Sequence, residues 1–278
     1  MSQGFRSRTL SPTERHSNHL EQGDAPEVWR EYGRPVPWPT LRRLWGYGIA
    51  GVLIVAVAPY PVLGVLAHGE LIHRIHDTVG AIHYLLLWAP AVIVFTSNRG
   101  NITAWNVAVA SALAMVITSI PSGDVVSSLS WLPLATLIPL WPDRGTWRFT
   151  RPDWMLIAAT VPLIIAAAHL VPDLITLQHD SGTDVHGARF HYEGMAALYV
   201  ALALCTLALA FSPRSRMMNM FVGGSAVLTG LFHLLWPEYD SAIPIAYATL
   251  YLLCGLVVAV WPLVAARYAQ RRLFTPVS

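Results

Sequence analysis

From Trp45 to Arg267 the chain is a succession of apolar runs, most of them roughly 18 to 22 residues long, the length of helix that crosses a hydrocarbon core about 30 Å thick. These runs constrain the fold more than anything else in the sequence. Backbone polar groups inside lipid must find partners within their own segment, so such runs form α-helices. Eight are read: Trp45–Leu66, Thr78–Ser97, Asn101–Ile120, Val126–Trp141, Trp154–Val171, His191–Phe211, Met218–Trp236 and Ile243–Arg267. The fourth is short and interrupted by Pro133 and Pro139. With 54% hydrophobic and 12% charged residues over 278 positions, the expected class is an all-α integral membrane protein of eight transmembrane helices, with the lipid bilayer as partner and no nucleic acid.

Tryptophans punctuate the runs. Trp45, Trp105, Trp131, Trp141, Trp154, Trp236 and Trp261 fall near segment ends, as an interfacial aromatic belt requires, and Trp88 lies inside one. Eight spans put both termini on one side. That side collects sixteen of the eighteen arginines and the other only Arg74 and Arg189, so the positive-inside rule makes the termini cytoplasmic. The expected location is the inner membrane of a bacterial cell, and all eighteen cations being arginine is read as genomic bias. The polar residues before the first run carry no cleavage pattern, so that run is read as a retained signal anchor. The expected organisation is a tail over 1–44, a four-helix half over 45–142, a linker over 143–153, a second half over 154–267 and a tail over 268–278. The first tail is disordered at its start and interfacial at its end, where Trp38, Arg42 and Arg43 lie. Cys205 and Cys254 sit in apolar runs and read as inert buried thiols. Asn101-Ile102-Thr103 fits a glycosylation sequon but falls on the cytoplasmic side.

The other side is chemically different. It carries nine acidic residues against two arginines, and nine of the eleven histidines. HGELIHRIHDTVGAIHY, from His68 to Tyr84, is its densest stretch. The segment from Pro61 aligns with that from Pro172, pairing His68 with His179, His76 with His186, and His83-Tyr84 with His191-Tyr192. This predicts a four-plus-four internal repeat of parallel topology, its two histidine-bearing loops facing one another.

His73, His76, Gly80 and His83 share one stripe of a helix at helical spacing, with Asp77 on an adjoining face. Such a stripe set against His186 and His191 supplies the ligands of a divalent metal, zinc, copper(II) or iron, with His76, His83, His186 and His191 as the first-choice set. His73, His169, His179 and His233 are second choices, the latter pair of spans being closed by prolines just after His169 and His233. Asp77 and Glu193 are candidates for proton transfer, and Glu70 reads as an ion-pair partner of Arg74. No phosphate loop, GxSxG, HExxH or nucleotide-binding glycine pattern occurs. The last run has no histidine, which separates the chain from seven-span zinc hydrolases with HxxxH there.

Four readings of function remain. A metal-dependent membrane enzyme or metal-handling protein uses the histidines as ligands. A small-solute or ion carrier uses the acidic outer loops to concentrate cations, although no histidine or carboxylate is expected deep at mid-membrane. Haem ligation by a pair such as His83 and His191 is a third, and an accessory or scaffolding protein without catalysis is the fourth. Homo-oligomerisation and membrane-protein partners are left open by the residues.

Overall fold

In the computed structural model the described residues are 38–59, 74–123, 128–142, 150–180, 191–238 and 242–274, and they are helical, with no strand among them. The side chains of Arg74, His76, Asp77, His191, 128–130 and 268–274 are outside that description. Helix α1 is Thr40–Val57, α2 is Arg74–Ile82, and α3 is Ala89–Ser97. A π-helical segment, His83–Trp88, joins α2 to α3. Then follow α4, Ile102–Ser122, α5, Ser128–Leu137, with a 3-10 turn at Ile138–Leu140, and α6, Trp154–Asp180. The last are α7, His191–Ala210, α8, Arg216–Leu235, and α9, Ile245–Phe274.

Seven segments among the described residues are long and apolar enough to cross a membrane, and the chain is therefore an all-helical protein of multi-pass membrane type. The run expected to be weakest does not reach that length: its helical part, Trp131–Leu140, is short, with Pro133 inside it and Pro139 in the tight turn that ends it. Proline elsewhere does not stop helices. Pro172 was expected to close the segment after His169, yet α6 runs on to Asp180, carrying His179 in its last turn. Within a bundle the carbonyl freed by proline is met by neighbouring side chains and helices, so the chain continues.

Helices α2 and α3 run on through the π segment as one continuous span. Thr103 donates to the Pro213 carbonyl and Thr150 to that of Ser212, joining one end of the bundle. Ser122 donates to Glu193 and Ile243 to His233, joining the other, which is called here the histidine end. Helix α7 is central, packed on α2, α4, α6 and α8. Its apolar residues point inward all round (Met195, Leu198, Tyr199, Leu202 and Cys205 are fully buried), as a helix without a polar face demands. Helix α1 is peripheral, buried only at Gly46 and Ala50.

Packing without a hydrophobic driving force depends on close backbone approach. Helices α8 and α9 show this most clearly. A Cβ at Gly223 would lie 2.5 Å from the Ala259 nitrogen and 2.6 Å from the Gly255 carbonyl, and one at Gly230 would meet the Ala248 carbonyl. At the end opposite the histidines, Trp38 is buried, donates from Nε1 to the Phe95 carbonyl, and lies under the guanidinium groups of Arg42 and Arg99. Asn101 caps α4 by accepting from the Ala104 N–H, a structural role for the residue that opens the sequon.

Candidate functional site

The π-helical segment has a local cause in Pro90. Proline at that position would drive its ring against the carbonyl of Leu86, four residues earlier, if the α pattern continued. Instead the Ala89 N–H reaches back five residues to the Tyr84 carbonyl, and the helix widens. His83 opens this widened turn and is buried, with 1% of its surface exposed.

His83 Nε2 lies 3.0 Å from the Ser111 carbonyl and 2.8 Å from the Ser111 hydroxyl. A carbonyl only accepts, so Nε2 carries the proton and Nδ1 is the nitrogen with the lone pair. Ser111 is the tenth residue of the 21-residue α4. The side chain of His83 thus meets α4 halfway along its length.

Closer to the histidine end, Glu193 lies in the first turn of α7 and is 4% exposed. The Ser122 hydroxyl donates to its Oε2 at 2.6 Å, and the Glu193 backbone N–H donates to Gln178 Oε1 at 3.3 Å. One residue on, His179 Nε2 donates to the Pro121 carbonyl at 2.8 Å. Thus the ends of α4 and α6 and the start of α7 are tied by three polar contacts, and two of the residues in them, Ser122 and Gln178, carry no distinctive signal in sequence.

His233 has a different setting. The Ile243 N–H donates to its Nδ1 at 3.4 Å, so Nε2 bears the proton and donates to the Tyr199 hydroxyl oxygen at 2.8 Å. Tyr199 in turn packs against Tyr251, ring centroids 5.2 Å apart. His169 stacks on Tyr247 at 6.3 Å. Both nitrogens of His233 are thus engaged by the chain itself.

Among the described residues no group of three or more His, Cys, Asp or Glu side chains comes together as a metal would require. His83, His169, His179, His233 and Glu193 are held on separate contacts. His73 and His186, and the side chains of His76, Asp77 and His191, lie outside the described residues, as does the Glu70–Arg74 pair. The repeat's pairing of His83 with His191 is not reproduced in local structure: His83 opens a π turn after nine residues of α2, whereas His191 is the first residue of α7.

No known protein family matches this chain, and no match was found among curated proteins or among solved structures.

Proposed function

We propose that the chain is a multi-pass inner-membrane protein whose histidine end faces away from the cytoplasm and binds a divalent transition metal through His76, His83, His186 and His191, with Asp77 and Glu193 as proton-transfer groups. The observation that carries this reading is the arrangement at His83. A metal-ligating histidine has its second ring N–H fixed by a carbonyl or carboxylate, which sets the tautomer and aims the lone pair. The Ser111 carbonyl does this to His83 Nε2 and leaves Nδ1 as the donor atom. Glu193, buried near the start of the helix that also begins with His191, adds a carboxylate at the same end. Ionisable side chains in such positions are costly and tend to serve function.

Elemental analysis of the purified protein, with its absorption spectrum, tests the reading. The expected result is about one zinc, copper or iron per chain, reduced at least tenfold in His83→Ala, as loss of a ligand or its support entails. A Soret band would select haem. No stoichiometric metal in the wild type, or metal unchanged in His76→Ala, His83→Ala, His186→Ala and His191→Ala alike, would overturn it.

One observation favours a second reading, a carrier for a small solute or ion. His83 reaches mid-length of α4, and Thr78 Oγ1, Trp88 Nε1 and Tyr251 Oη are buried polar atoms without a hydrogen-bond partner among the described residues. Groups of that kind serve a solute or water within the bundle.

A further inference from the structure

A cavity of about 380 Å³ opens at the end of the bundle opposite the histidines, between the start of α6, the end of α7, the start of α8 and the middle of α9. That volume lies in the range of sites for small ligands. Its floor is apolar, with Leu156, Leu209 and the Trp261 ring, and its polar lining includes Arg151, Arg214 and Asn219.

The charges are unequally committed. The Asp153 carboxylate is engaged on both oxygens: Oδ1 accepts the Met155 N–H at 3.2 Å, capping α6, and Oδ2 accepts Trp261 Nε1 at 2.8 Å. The Arg214 guanidinium stands 3.6 Å from Oδ2, but its side chain is 60% exposed, so this pair holds it only loosely. Arg151 is exposed and meets no acceptor among the described residues. Two guanidinium groups thus line a cavity whose one carboxylate is already satisfied. Guanidinium is the planar fork that engages phosphate through paired N–H donors.

Trp154 is 73% and Phe211 37% exposed, each next in sequence to a residue that lines the cavity, Asp153 and Ser212. Aromatic side chains at the ends of apolar helices sit at headgroup depth. Basic pockets between membrane helices are suited to anionic headgroups. Asn219 is buried and spends its Nδ2 on the Val258 carbonyl, which leaves the Oδ1 to accept a hydroxyl.

We infer that this cavity binds an anionic phosphate ester, its phosphate held between Arg151 and Arg214 and a neighbouring hydroxyl accepted by Asn219. The shared chemistry is that of a phosphatidylglycerol headgroup and of free glycerol phosphate. The test is thermal unfolding of the full chain in nanodiscs of phosphatidylcholine alone, of phosphatidylcholine with phosphatidylglycerol, and of phosphatidylcholine with added glycerol 3-phosphate. The expected result is an upward shift of the midpoint with phosphatidylglycerol that is lost in the double variant Arg151→Gln, Arg214→Gln and kept in Arg267→Gln, an exposed arginine of α9 outside the cavity. The same shift with glycerol 3-phosphate assigns the site to a soluble ester, and a shift with the lipid alone to the headgroup. Native mass spectrometry of the wild type, needing no variant, should retain phosphatidylglycerol at least tenfold over phosphatidylcholine. No shift with either phosphate source, no lipid preference, or an equal loss in Arg267→Gln would overturn the assignment.

Discussion

Ser122 and Glu193 show how much a single hydroxyl can carry. The carboxylate of Glu193 is almost entirely removed from solvent and accepts the Ser122 O–H at 2.6 Å. Removing the donor takes one hydrogen bond away from a buried carboxylate, at a cost of about 1–3 kcal/mol. Ser122→Ala is therefore expected to lower the unfolding midpoint in detergent, while Ser122→Thr, which keeps the hydroxyl, stays near the wild type. Equal midpoints for both would mean that the contact contributes nothing. Tyr199→Phe removes the acceptor of His233 Nε2 and leaves that buried donor unmatched, so a cost on the same scale, about 1–3 kcal/mol, is expected. Little of this was legible in advance. The crowding of histidines at one end is a property of the sequence and can be counted there, but the partners Ser111, Ser122, Gln178 and Tyr199 lie on other helices, and a serine or tyrosine in an apolar run carries no mark of what it will face.

At the scale of elements, length and hydropathy were enough to find the helices, and their ends were not. Prolines mislead in both directions: Pro172 lies inside α6, and Pro90 neither ends nor sharply breaks its segment but widens it. What decides is whether neighbouring helices satisfy the freed carbonyl, which is tertiary information. The α8–α9 pair rests on Gly223, Gly230 and Gly255, spaced so that two backbones touch. The added atoms of a side chain at Gly230 would meet backbone on α9, which cannot swing aside as a side chain does. Gly230→Leu is expected to destabilise the protein by at least the 1–3 kcal/mol typical of overpacking, whereas Gly224→Leu, where a Cβ meets nothing within 4 Å, should be tolerated. Thermal unfolding in one detergent compares them directly; similar midpoints would show that the two helices can separate without loss.

For the molecule as a whole, the arginine distribution and the antiparallel order of helices make a joint prediction. On the proposed orientation, with the termini on the cytoplasmic side, single cysteines placed at Ser2 and Thr146 in a chain lacking Cys205 and Cys254 should react with a membrane-impermeant maleimide only after lysis, and one at Ser181 in intact cells whose outer permeability barrier has been opened. Labelling of all three from one side, or in the opposite sense, would reverse the orientation. The two ends also differ in chemistry as built: one holds His179 on a carbonyl and His233 on a tyrosine hydroxyl and buries Glu193, and the other sets Arg42 and Arg99 on Trp38 and Arg214 near the Asp153 carboxylate.

The widened turn at His83–Trp88 holds one more residue than an α-helix would place in the same length. A residue of an α-helix corresponds to about 100° of rotation, so if the turn tightened to α pitch with all its residues kept, everything before it would turn by about that angle relative to everything after it. The buried side chains Ile75, Thr78, Val79 and His83 would then swing off their neighbours with no change in apolar length or composition. The widened turn thus sets the azimuth of the histidine face, taking up an additional residue without changing which side chains look inward.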